Sequence, residues 1–145
     1  MALQSSSSLE VLLELVSGLI ATLEGQAVQD AGFADLSMRQ VHALQTIADM
    51  ERPTFGEVAE RLKVTKPSVT ALVSTLTRKG YVQKVQSAED RRAYHIVLTR
   101  KGETFTDLHE LTHRRMARFI AQNLDETEVA QLSVLLAKVL QSTNS

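Results

Sequence analysis

Hydrophobic positions at Leu9, Leu12, Leu13, Val16, Leu19, Ile20 and Leu23 recur at steps of three and four, one stripe of an amphipathic helix running to about Val28. Residues 1–8 ahead of it, with the polar run Gln4–Ser8, show no such period and are expected to be a disordered leader. Ser37 with Gln40 has the spacing of a capping box and opens a second helix, whose Val41, Leu44, Ile47 and Ala48 share one face. Pro53 breaks it. Thr54 with Glu57 repeats the box and starts a short helix with Val58, Ala59 and Leu62 inward. After the turn at Lys63-Val64, Thr65 caps a fourth helix with Pro67 in its first turn, where a missing N–H costs nothing. That helix buries Val69, Leu72, Val73 and Leu76 and stops at Lys79-Gly80. Two short helices joined by a tight turn are a helix-turn-helix unit.

Beyond Gly80 the period falls from helical to alternating. Residues 81–85 and 93–98 read as two strands, and the polar stretch from Gln86 to Arg92 as the tip between them. A hairpin placed directly after such a helix is a wing. Thr99 then caps a long helix carrying Phe105, Leu108, Met116, Phe119 and Ile120, and Asp125 with Glu128 opens a last one with a broad apolar face from Val129 to Leu140. The fold expected is mainly α with a small β-hairpin wing, a winged helix-turn-helix. Its parts form one continuous domain: the DNA-reading region over residues 36–99, and dimerisation helices over 9–35 and 100–145. The first and last helices carry more apolar surface than a central winged helix can cover, so a homodimer is expected.

Composition narrows the chemistry. There is no cysteine, which excludes disulfides, thiolate zinc fingers and a cysteine redox switch. No apolar run reaches the length of a membrane span and the start lacks a basic segment followed by an apolar one, so a cytoplasmic protein without membrane attachment is expected. The net charge of −1 conceals a segregation: residues 61–101 carry ten Lys or Arg against two acidic residues, and the rest carries six against fifteen. A polyanion is drawn to the middle of the chain and repelled by its ends.

The expected partner is double-stranded DNA. With the inner face of the fourth helix committed to the core, Lys66, Pro67, Ser68, Thr70, Ala71, Ser74 and Arg78 are left to face the major groove. Hydroxyls can bond several bases, Pro67 and Ala71 can touch a thymine methyl, and Lys66 or Arg78 can meet guanine or phosphate. Arg91 and Arg92 on the thin hairpin tip suit a minor groove. Asp90 beside them is expected to accept hydrogen bonds from one of the arginines and hold the loop in shape.

LTRKGYV at residues 76–82 and EDRRAYHIVLTRKG at residues 89–102 carry a resemblance to the MarR family, whose wing signature is matched by Asp90, Arg92 and Ala93. The resemblance implies a homodimeric transcription regulator, with its first, fifth and sixth helices interlocked and two winged lobes on a pseudopalindrome. His109 and His113, four apart on one helix, can point into one coordination sphere, and His109-Glu110-Leu111-Thr112-His113 fits the zinc-protease pattern H-E-x-x-H. A protease also needs a third ligand and an open cleft, so no catalytic residue is assigned and the chain is not expected to be an enzyme.

The set Glu24, His42, His109 and His113 is similar to the metal ligands of the family's zinc-sensing AdcR/ZitR-type branch, which implies zinc as corepressor. That branch has a second metal site using a cysteine and carboxylates; here Asp30, Val41 and Leu108 stand at its positions. The alternative within the family is release from DNA by a small aromatic or phenolic ligand. His95, on the hairpin, is assigned no metal role.

Overall fold

The computed structural model describes the backbone of residues 2–30 and 32–142, and the side chains of residues 9–25 and 32–142. The element order is α1 (Ala2–Asp30), α2 (Met38–Asp49), α3 (Phe55–Leu62), α4 (Lys66–Arg78), β1 (Val82–Gln86), β2 (Tyr94–Leu98), α5 (Arg100–Asn123) and α6 (Glu126–Gln141). The only sheet among the described residues is the antiparallel β1–β2 hairpin. The chain forms two compact units, residues 1–20 with 110–145, and residues 21–109. Helix α1 begins at Ala2, ahead of the stripe that starts at Leu9; the side chains of the expected leader, residues 1–8, lie outside those described, as does that of Asp30.

The three expected capping boxes form. Ser37 Oγ accepts from the Gln40 N–H at 3.3 Å while Gln40 Oε1 accepts from the Ser37 N–H at 3.0 Å. Thr54 with Glu57 and Asp125 with Glu128 repeat this reciprocal pattern, so each helix start satisfies two otherwise orphaned N–H groups locally. Hydrogen bonds from Thr54, its N–H first and its hydroxyl second, hold the Glu57 carboxyl below its ordinary range, since they favour the charged form. Helix α3 ends at Lys63 in the left-handed region (φ 54°), which turns the chain sharply into α4. Gly80 (φ 85°) does the same between α4 and the hairpin, where a side chain would be strained.

The core of the unit 21–109 is built from Leu44 and Ile47 of α2, Val58 of α3, Val69, Val73 and Leu76 of α4, Val82 and Ile96 of the hairpin, and Phe105 of α5, all buried. Phe33, Tyr81 and Phe105 meet edge to face or tilted at centroid distances of 5.5–6.2 Å, tying the α1–α2 connection to the start of the hairpin and of α5. The buried Tyr81 hydroxyl donates to Asp35 Oδ1 at 2.6 Å. Burial first, and this bond second, push the Tyr81 phenol well above its ordinary range; the same bond is the main cause lowering the Asp35 carboxyl. Gly102 allows α5 to start against this corner, since a Cβ there would collide with the Tyr81 carbonyl oxygen.

The hairpin is also pinned at its far edge. Ile96 N–H donates to Pro53 O at 2.8 Å, Thr54 makes an isolated bridge with His95, and His95 Nδ1 lies 2.8 Å from Arg52 O. These bonds explain how Glu51 (φ 48°) and Arg52 (φ 61°) are held in the left-handed region, a conformation costing roughly 1–2 kcal/mol per L-residue. His95 thus has a backbone role.

In the unit that combines residues 1–20 with 110–145, large apolar side chains stand in solvent. Leu9, Leu12, Leu13, Val16 and Leu19 of α1 and Val134, Leu135, Leu136, Val139 and Leu140 of α6 are all exposed, and no described residue of α6 is buried. Among the described residues no helix is long and apolar enough to cross a membrane.

Candidate nucleic-acid interface

Helix α4 turns its Val69, Val73 and Leu76 into the core, and the helical period then dictates what remains outside. Lys66, Pro67, Thr70, Ala71, Ser74 and Arg78 are exposed, as expected. Ser68 is half-buried, and its Oγ lies 2.8 Å from Oγ1 of the N-cap Thr65, so this hydroxyl serves the helix start. Pro67, Ala71 and Ser74 form a shallow, open surface with Lys66 and Thr70.

The wing tip is ordered by short polar side chains. Ser87 Oγ accepts the N–H groups of Glu89 and Asp90, each at 3.3 Å, and Asp90 Oδ1 accepts the Arg92 N–H at 2.9 Å. Ala93 N–H donates to Asp90 O, and Gln86 Nε2 to Arg91 O. Asp90 does accept from an arginine, but from its backbone and not its guanidinium. The Arg91 and Arg92 side chains are exposed and, among the described residues, in no ion pair. The tip therefore presents two cations on a shaped loop.

Between wing and helix runs a groove of about 420 Å³, lined by Phe55 and Gly56 of α3, Lys66 and Thr70 of α4, and Asp90 and Arg92 of the wing tip. Lys84 reaches into it, 5.8 Å from the Phe55 ring centre and 5.3 Å from that of Tyr94. Lys84, Phe55 and Tyr94 are among the groove residues that sequence reasoning missed, with Thr54 and Gly56. One signal existed: alternation from the buried Val82 puts Lys84 on the same face of β1, opposite Ile96.

The fold of this chain has counterparts of known structure. Streptococcus pneumoniae FabT in complex with DNA is 30% identical in sequence and superposes with a TM-score of 0.75, over 94% of this chain and 97% of that one. The sequence profile described as the MarR family matches residues 34–93. The chain belongs to the MarR family. It is 29% identical over 107 residues to the multiple antibiotic resistance protein MarR of Escherichia coli K12, covering 73% of this chain and 74% of that protein. It is 24% identical over 119 residues to the transcriptional regulator PchR of Bacillus subtilis, covering 82% and 70%. This MarR-family chain is accordingly a DNA-binding transcription regulator of the winged helix-turn-helix type, and no catalytic family is indicated.

The expected metal ligands are brought together in part. Within the unit 21–109, Glu24 and His109 offer ligand atoms no more than 4.8 Å apart, and His109 stacks on Phe105 at 6.0 Å. His113, one helical turn further along α5, is exposed. His42 is exposed on α2 and does not share this group. The reason is rotational: Val41 faces the cavity that Glu24 and His109 line, and the next residue points about 100° away. That cavity, of about 270 Å³, is otherwise walled by apolar groups including Phe33, Leu36, Met38 and Phe105. Glu110, which would be the base of an H-E-x-x-H site, is exposed and pairs with Arg114.

Proposed function

We propose that this MarR-family protein is a repressor that binds a pseudopalindromic operator as a homodimer in the cytoplasm. Residues 36–99 would read the DNA, while residues 9–35 and 100–145 would join the two copies. The observation that carries the reading is the pairing of an exposed α4 with a wing whose two arginines project from a loop ordered by Asp90. The uncovered leucines and valines of α1 and α6 support a second copy as their cover, since an apolar surface of that extent is costly in water. Selection of duplexes from a random pool, with sedimentation of the complex, tests it: an inverted repeat bound by two chains is expected. A single chain bound to an asymmetric site would overturn it.

Zinc is proposed as the effector that favours the DNA-binding form, acting as corepressor. Support comes from the donor set: one carboxylate and one imidazole within 4.8 Å, with His113 a turn away on the same helix. Tetrahedral zinc with bonds of about 2.0–2.1 Å sets neighbouring donors about 3.4 Å apart, which side-chain rotation from this spacing can reach. When bound, the ion would supply only cross-linking of side chains; Glu24, His109 and His113 would hold it. Metal analysis of untagged protein and duplex titration with a chelator are the test, with loss of zinc response in His113→Ala and in His109→Ala. A full zinc response is expected in His42→Ala, since His42 stands outside this group; its loss there would return His42 to the ligand set. The apolar character of the 270 Å³ cavity favours a second reading, release from DNA by a small aromatic ligand that fills it. Such release by phenolic acids from metal-free protein would select this reading over zinc.

A further inference from the structure

Two grooves flank α4 on its wing side. One, of about 420 Å³, leads to the wing tip; the other, of about 370 Å³, runs along α4 past Ser74 and Thr77 to Arg78. Phe55, Thr70 and Lys84 line both, so they form the saddle between them. Lys84 is the charged member of that saddle. It pairs in register with Ile96, fully buried, on the face of the hairpin that Val82 gives to the core. An alternating strand would ordinarily continue such a face with an apolar residue. Here the face carries an ammonium group set between two rings, which neutralise none of its charge but limit its rotamers.

The surroundings suit an anion. Lys66 and Arg92 border one groove and Arg78 the other, and the carboxylate of Asp90 is engaged by the Arg92 N–H. Resting on the DNA-binding reading above, we propose that the saddle is a phosphate-binding position, in which Lys84, held by Phe55 and Tyr94, contacts the DNA backbone between the stretch read by α4 and the stretch touched by the wing. Lys84 fixes the register of the protein on the duplex and carries no base preference, because a single ammonium on a phosphate is blind to sequence.

The test is Lys84→Met, which keeps an unbranched stem between the rings and removes only the charge. With a duplex enriched from a random pool by the unaltered chain, the plot of log affinity against log salt should lose about 0.9 of its slope per bound chain. The ratio of unaltered to variant affinity should thus be about 3.5-fold larger at 50 mM than at 200 mM salt for each phosphate that Lys84 neutralises. Lys84→Arg should restore slope and affinity, and the order of preference among enriched duplexes should not change. Tyr94→Leu should weaken binding in the unaltered chain and have no further effect beside Lys84→Met. An unchanged slope in Lys84→Met, in a chain that melts like the unaltered one, would overturn the phosphate assignment while leaving DNA binding intact. A change in the order of preferred duplexes would overturn it in favour of direct base readout. Failure of the unaltered chain to enrich any duplex would refute the DNA-binding reading itself, and the saddle with it.

Discussion

Replacing Asp90 separates the shape of the wing from its charge. The carboxylate accepts one hydrogen bond, from the Arg92 N–H at 2.9 Å, and stands beside two exposed arginines. Asp90→Asn keeps an acceptor oxygen in place and removes the negative charge. At about 7 Å from a DNA phosphate in a water-like dielectric, that charge repels by ~0.6 kcal/mol before screening, so Asn should tighten binding about two- to threefold at low salt. Asp90→Ala removes the charge and the bond together. A lost hydrogen bond of this kind costs ~0.5–1.5 kcal/mol, and here the cost falls on the order of the tip, which the duplex must then impose. The two contributions oppose each other in Ala and only one acts in Asn. Fluorescence anisotropy on one operator duplex at several salt concentrations should therefore find Asn tighter than the unaltered chain and Ala weaker than Asn by about two- to twelvefold, with melting temperatures alike. Equal affinities for Ala and Asn at every salt concentration would refute the claim that Asp90 acts by ordering the Arg92 backbone.

Other substitutions test other levels of the structure. Gly102→Ala should destabilise the fold by ~1–3 kcal/mol in a denaturant titration, because its Cβ would meet the backbone of Tyr81 and no side-chain rotation relieves that. Tyr81→Phe should cost ~0.5–1.5 kcal/mol at pH 7. The deficit should shrink as acid protonates Asp35, whose lowered folded pKa means that its contribution is complete above the ordinary value of 3.8 and is lost progressively as pH falls from there through the lowered folded value. Above pH 10.0 the unaltered chain should lose stability that Tyr81→Phe keeps, since the folded state resists ionisation of the buried phenol; denaturation at about pH 3, 7 and 10.5 checks both signs. Arg92→Ala should weaken binding to all duplexes and flatten the salt dependence, whereas Thr70→Ala should reorder the preferred sequences; identical profiles would count against that division.

Much of this structure is local and so was legible from short stretches of sequence. Capping boxes need only residues three apart, and Ser37, Thr54 and Asp125 each open the helix their spacing announces. The wing followed from a change of period after Gly80. What stayed hidden depends on residues meeting across the chain. The pinning of Pro53 and Arg52 to β2, and the place of Lys84 between a ring from α3 and a ring from β2, bring together residues that no spacing relates. The ligand set shows the same limit: His109 and Glu24 meet, but one residue of rotation on α2 gives the cavity to Val41 and solvent to His42.

The most direct test of the whole account is backbone hydrogen exchange of the full chain, free and bound to an enriched duplex. Slowed exchange confined to residues 66–78 and 86–94, with the core amides of α2 unchanged, is the result predicted by DNA held between α4 and the wing. Protection that leaves both segments untouched, or appears instead only on α6, would contradict it.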